Sequence, residues 1–261
     1  MLNYDKALES FENYIRQYDS TDDKIKLKIV HTFGVVECAS YIAIHEKMND
    51  EQQELAKIIA LLHDIGRFEQ LKQYHSFDDR NVDHASIAID YLFKQGHIRD
   101  YVEEDQYDTI ISFAIKNHSA YKIEATNNKE IKRQASLIRD ADKLDNFRVK
   151  NSEKIETLFD ISMEQFEQEK LSTLIYDQVL SSQLIKKEDR VNSMDMWVSY
   201  LAFIFDLNYQ SSFRYLLETN YLEENIDRIS YKNKDTYKKM QLIKSHCYRY
   251  IRYHAVLNTK I

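Results

Sequence analysis

Apolar residues recur at intervals of three and four along nearly the whole chain, the repeat of α-helices that each bury one face. The pattern predicts helices over residues 2–17, 23–47, 51–65, 83–95, 103–118 and 130–148, then about five more, clearest at 191–207 and 235–256. The breaks fall at glycines and polar clusters. Gly66 and Gly96 stand just past apolar helical stretches, where a left-handed residue satisfies the last carbonyls. Asp83 is placed to cap a helix that begins at His84. The segment from Arg67 to Val82 is polar, aromatic and aperiodic, and reads as a loop over the end of the preceding helix.

Composition sharpens this into an all-α protein: the 261 residues include no proline and three glycines, so tight-turn chemistry is nearly absent and helix breakers are scarce. No repeat, low-complexity tract or Pro/Gly/Ser linker divides the chain. The expected organisation is a core over residues 1–150 and a helical extension over 151–261 packed on it, with one single domain as the alternative. The net charge of −7, with both signs interleaved, disfavours a broad footprint for duplex nucleic acid but leaves room for a small anionic ligand. Cys38 and Cys247 have no paired spacing, the amino terminus lacks a signal core, and no apolar run approaches membrane length. A soluble, cytoplasmic protein with no membrane partner is expected.

The histidines change the picture. His31 shares a helix face with Val35, Cys38 and Ile42; His63 follows Ala56, Ile59 and Ala60; His84 leads Ile87, Ala88 and Tyr91; His118 ends a stripe of Ile111, Ala114 and Ile115. In LIRDADKLDNF, Asp142 follows Ala135 and Ile138 and precedes Asp145 on one face, which Asp140 does not share. A lone histidine on an apolar stripe is usually a hydrogen-bonded core residue. Five helices that each turn a histidine or carboxylate inward, with Asp64 beside His63, are harder to absorb, since each unsatisfied buried group costs on the order of 1–3 kcal/mol. A shared metal centre removes that cost, because neutral imidazoles and ionised carboxylates bind divalent transition metals.

The order His31, His63-Asp64, Asp142, carried chiefly by LLHDIGRFEQ and LIRDADKLDNF, resembles the HD-domain superfamily of metal-dependent phosphohydrolases over roughly Lys24 to Arg148. The resemblance implies an HD-domain helical bundle in which His31, His63, Asp64 and Asp142 bind one metal. His84 in VDHASIAIDYLF and His118 in AIKNHSAY match the extra histidines of binuclear members, in which Asp64 would bridge two ions. It further implies hydrolysis of a phosphate ester or anhydride of a small, nucleotide-like substrate through a metal-bound hydroxide. Iron or manganese is preferred for the mixed nitrogen and oxygen ligation, with zinc, cobalt or nickel as alternatives.

Phosphate chemistry also asks for cations. Arg67 follows the helix that carries the doublet and Lys143 follows Asp142; the competing reading pairs Arg67 with Glu69 or Asp79, and Lys143 with Asp140 or Glu130. Tyr121 and Lys122 rank third, and His75 in the loop is a general-acid candidate set against a plain exposed histidine. Asp145 is expected to orient a ligand, and Asp140 to lie at the surface or in a salt bridge. Two other functions use the same ligands: a binuclear-iron oxygenase acting on a small organic substrate, and a non-catalytic nucleotide or metal sensor. In the extension, aromatics such as Trp197, Tyr200 and Phe203 read as packing residues. The run CYRYIRYHA has the arginine and tyrosine mixture that stacks single-stranded bases, but the acidic chain around it favours a helix packed on the domain or forming a homodimer.

Overall fold

The protein, described here as a computed structural model, is defined over residues 2–75 and 82–256; among these every regular element is helical and none is a strand. The chain divides into two compact units, Met1–Asp142 and Lys143–Ile261. The first contains α1 (Tyr4–Ile15), α2 (Asp23–His45), α3 (Asp50–Leu62), α4 (Ile65–Tyr74), α5 (His84–Ile89), α6 (Asp108–Asn117) and the start of α7 (Lys129–Ser152). The second holds the rest of α7 with α8 (Ile155–Phe159), α9 (Met163–Gln168), α10 (Thr173–Leu180), α11 (Ser193–Leu201), α12 (Gln210–Thr219), α13 (Tyr221–Asp227) and α14 (Lys234–Val256).

In the first unit, α2 starts where the Asp22 side chain accepts from the amides of Lys24 and Ile25. It packs along α3, which opens with a capping box between Asn49 and Gln52. Phe11 and Tyr14 of α1 meet Phe68 of α4 edge-on, both with centroids 5.9 Å apart. By length and composition α2 is an exception to the expectation that no apolar run approaches membrane length. Its Val35, Cys38, Ala39, Ile42 and Ala43 are buried in the core of the unit, which accounts for the apolar composition.

Two other local expectations change. The predicted loop after Arg67 is helical as far as Tyr74, because Ile65, Phe68 and Leu71 bury one side of α4; the part of that expectation at residues 76–81 lies outside the described residues. His75 ends α4 in the left-handed conformation, and Gly66 is not a stop at all but lies inside α4. A Cβ at Gly66 would stand 2.2 Å from the His84 carbonyl oxygen and 2.7 Å from the Ala88 nitrogen, so the absent side chain is what lets α4 and α5 touch. Gly96, at φ 87°, does adopt the left-handed form, and Asp83 caps α5 through the amides of Ala85 and Ser86.

The second unit closes around Phe159, Phe166 and Trp197, with Phe159 and Phe166 stacked at 5.5 Å and Trp197 edge-on to Phe166 at 5.9 Å. Fully buried Asp195 accepts from the Ser172 amide and hydroxyl and from the Val191 amide, and so ties the starts of α10 and α11 together. The long helix α14 packs along α12 through its Met240, Ile243, Cys247 and Ile251 side.

Candidate metal centre

Six residues expected as ligands come from five places in the first unit: His31 from α2, His63 and Asp64 from the break between α3 and α4, His84 from the first turn of α5, His118 from just past α6, and Asp142 from α7. All sit in the interior, where Asp142 alone keeps partial exposure. Their functional atoms converge on the Asp64 carboxylate, whose two oxygens face different neighbours. Oδ2 lies 3.6 Å from His63 Nε2 and 3.9 Å from His31 Nε2, which is itself 3.1 Å from Asp142 Oδ1. Oδ1 lies 3.3 Å from His84 Nε2 and 3.5 Å from His118 Nε2, and these two nitrogens are 3.1 Å apart. Within the cluster, the donor atoms of His31, His63 and Asp142, and those of His63, Asp64 and His118, lie within 4.8 Å of one another.

The HD domain family model matches residues 29–146, a span that encloses all six. Residues 29–146 are an HD domain. The superfamily is one of metal-dependent phosphohydrolases. No curated protein and no solved structure matches the chain significantly.

The HD domain prepares its imidazoles from the backbone. His63 Nδ1 donates to the Ala60 carbonyl and His118 Nδ1 to the Ile115 carbonyl, both at 2.7 Å and both three residues back. With Nδ1 committed to the backbone, each ring turns its Nε2 toward Asp64. His63 Nε2 is buried with no hydrogen-bond partner. Such a nitrogen is costly as a structural group and suited to a metal ion, so the donor set fits a divalent transition metal. Burial pushes the His63 imidazole down to about 4, which keeps it in the neutral, ligating form. Burial alone would raise the Asp64 carboxyl, but Lys28, His63, His118 and His84 outweigh it and hold the group well below the usual carboxylate range. At Asp142 burial is likewise outweighed, chiefly by the hydrogen bond and charge of His31.

Two cations of the first unit lie beside this carboxylate, one of them just ahead of the matched span. Arg67 Nε stands 3.7 Å from Asp64 Oδ1, while its Nη1 donates to Gln70 at 2.7 Å; of its two expected partners, Asp79 lies outside the described residues. Lys28 Nζ lies 2.6 Å from Asp64 Oδ2. The sequence reading passed over Lys28 because a lysine in the first turns of a helix normally reaches solvent; the available signal was its position three residues before His31, on the same face. Lys143 pairs with Asp206 at 3.0 Å inside the second unit, where Asp145 also binds Arg148 through both oxygens at 2.6 and 3.2 Å. Asp140 is fully buried and so is not a surface residue. Tyr121 and Lys122 are exposed.

Arg139 was also missed. Its buried guanidinium donates from Nη1 to the carbonyls of Asn117 at 2.8 Å and His118 at 3.2 Å and to that of Ala120, and from Nη2 to Tyr121 at 3.5 Å. It closes the carboxyl end of α6 where His118 leaves it, and it sits one helical turn before Asp142. Arg139→Lys keeps the charge but loses the fork. We expect ion affinity on the His118 side to fall roughly 10- to 100-fold while the His31 side is retained. Calorimetric metal titration that shows both affinities unchanged would remove Arg139 from a positioning role.

Proposed function

We propose that the HD domain is a phosphohydrolase that cleaves a phosphate ester or anhydride of a small, nucleotide-like substrate with two divalent transition-metal ions. Iron or manganese is preferred over zinc, cobalt or nickel because the donors mix imidazole nitrogen with carboxylate oxygen. The observation that carries this reading is the division of the Asp64 carboxylate, with Oδ2 toward His31 and His63 and Oδ1 toward His84 and His118. His31, His63 and Asp142 would hold one ion, His84 and His118 the other, and Asp64 both. Bound ions of this kind supply a nucleophile near neutral pH and offset charge on the phosphoryl group.

The side chains of the chain do the rest. The imidazoles, fixed at Nδ1 in His63 and His118, orient the donor atoms, and the buried setting excludes bulk water from them. Lys28 and Arg67 bring positive charge to the same carboxylate and are the groups best placed to receive phosphate oxygens. Lys143 would have to exchange Asp206 for phosphate to contribute. Two free, buried cysteines agree with a cytoplasmic setting.

The test is elemental analysis of protein purified without chelators, paired with phosphate release from a nucleotide panel and a generic phosphodiester. About two equivalents of transition metal with phosphate release is the expected result. Oxygen consumption without phosphate release would replace the hydrolase with an oxygenase; absence of metal after anaerobic reconstitution would leave a sensor. His84→Ala should lose about one ion and most of the turnover, because it removes a donor from one side only. Unchanged metal content and rate in that variant would reduce the centre to a single ion.

A further inference from the structure

Helix α14 carries six lysines and arginines and one aspartate, in a chain whose net charge is −7. Its apolar side, Met240, Ile243, Cys247, Ile251 and Ala255, is consumed by the core of the second unit. The opposite side is exposed and, at 100° per residue, aligns Lys234, Lys238, Gln241, Ser245, Arg249 and Arg252 in a single row. Tyr237 and Tyr248, 52% and 41% exposed, flank the row on one edge, and Tyr253, 63% exposed, flanks it on the other. The other two lysines are committed, Lys239 to Asp235 at 3.0 Å and Lys244 to Glu223 and Asp227 at 2.8 and 2.7 Å. Among the described residues no carboxylate pairs with Lys234, Lys238, Arg249 or Arg252, and the Arg252 guanidinium lies over the Tyr248 ring, 5.6 Å from its centroid.

We infer that this face of α14 binds single-stranded nucleic acid. A row of unneutralised cations follows a phosphate backbone, and tyrosines along its edges offer rings for successive bases, a combination that needs no groove and tolerates sequence. From Lys234 to Arg252 the helix rises about 27 Å at 1.5 Å per residue, enough for a short run of nucleotides. A duplex is a poorer fit, because one narrow stripe on an acidic chain gives it no broad positive footprint and its bases are not free to stack. A lipid surface is also a poorer fit, because the side of α14 that could insert is already buried in the protein.

The experiment is fluorescence anisotropy with the full chain, in EDTA so that the outcome is independent of the metal centre, using 12-nucleotide single-stranded RNA and DNA of mixed sequence and a 12-base-pair duplex. Both single strands are expected to bind more tightly than the duplex, with affinity falling as roughly the third power of salt concentration for four phosphate contacts. Lys238→Gln/Arg249→Gln/Arg252→Gln should weaken binding at least tenfold and reduce the salt exponent by about two. Tyr248→Ala/Tyr253→Ala should weaken it roughly tenfold with the exponent unchanged. The substituted side chains are exposed, and circular dichroism checks that the fold is kept; Arg252→Gln alone gives the same readout at about 0.7 of an exponent if the triple variant unfolds. The inference is overturned if single strands show no saturable binding at low salt, if the tyrosine variant binds as well as the parent, or if only anionic vesicles bind. It is also overturned if sedimentation shows that the charge variant merely dissociates a dimer, which would make the face a contact between copies of this chain.

Discussion

Asp64→Ala should empty the centre and abolish turnover. The carboxylate's atoms face all four site imidazoles, His31 and His63 from one oxygen and His84 and His118 from the other. Without it neither half keeps a shared anionic donor, and the Lys28 ammonium loses the carboxylate that it meets at 2.6 Å. Metal assistance supplies several kcal/mol of transition-state stabilisation, so the rate should drop by about a thousandfold or more. Asp64→Asn is the sharper control, since it preserves shape and removes only the charge. Mass spectrometric metal analysis and phosphate release are the readouts. If Asp64→Asn keeps both ions and the parental rate, the carboxylate is no bridge and the proposed centre is wrong.

Gly66→Ala is expected to be nearly as damaging, though the substitution adds one methyl group and alters no ligand side chain. The new carbon would meet the backbone oxygen of His84 and the backbone nitrogen of Ala88, and neither atom can yield without moving α5 bodily. Overpacking of this kind costs about 1–3 kcal/mol, which lowers the melting temperature by several degrees in a chain of this size. The displacement also carries the His84 ring away from Asp64, so the ion on the His84 and His118 side should be lost first. Thermal unfolding and metal stoichiometry measured on one preparation separate the two effects. A variant that melts with the parent and holds the same metal would show that α4 and α5 need not approach so closely.

That glycine also shows where reading the chain stopped working. A glycine after LLHDI looks like the end of a helix because glycine destabilises helix interiors, but here the missing side chain serves contact with a neighbouring helix, which no local pattern encodes. The long amphipathic elements were legible: 23–47 became Asp23–His45, and 235–256 became Lys234–Val256. The predicted helix at 191–207 instead changes to a tighter 3-10 form at Ala202, and the one at 103–118 becomes regular only from Asp108. The six converging ligands stood out because polar groups on apolar stripes are expensive. Their supports did not, since Lys28 and Arg139 are ordinary residues by composition. Both, however, lie three positions before a proposed ligand, His31 and Asp142, as do the carbonyls that hold His63 and His118. Helical side chains lean toward the amino terminus, so the preceding turn is where a ligand's supports are to be sought.

The tethering of His63 and His118 to carbonyls of their own helices bears on how the centre chooses its ion. An unrestrained side chain gives up on the order of 0.5–1.5 kcal/mol of rotational freedom when it is immobilised by a ligand. These two rings have surrendered that freedom during folding, each through a bond of 2.7 Å that needs no ion to form. Their nitrogens therefore present fixed spacings, and an ion must suit those spacings rather than gather the ligands around itself. Discrimination by size and coordination geometry then resides in the backbone turns that end α3 and α6, while Asp142, with its side chain 18% exposed, retains the latitude to complete the shell.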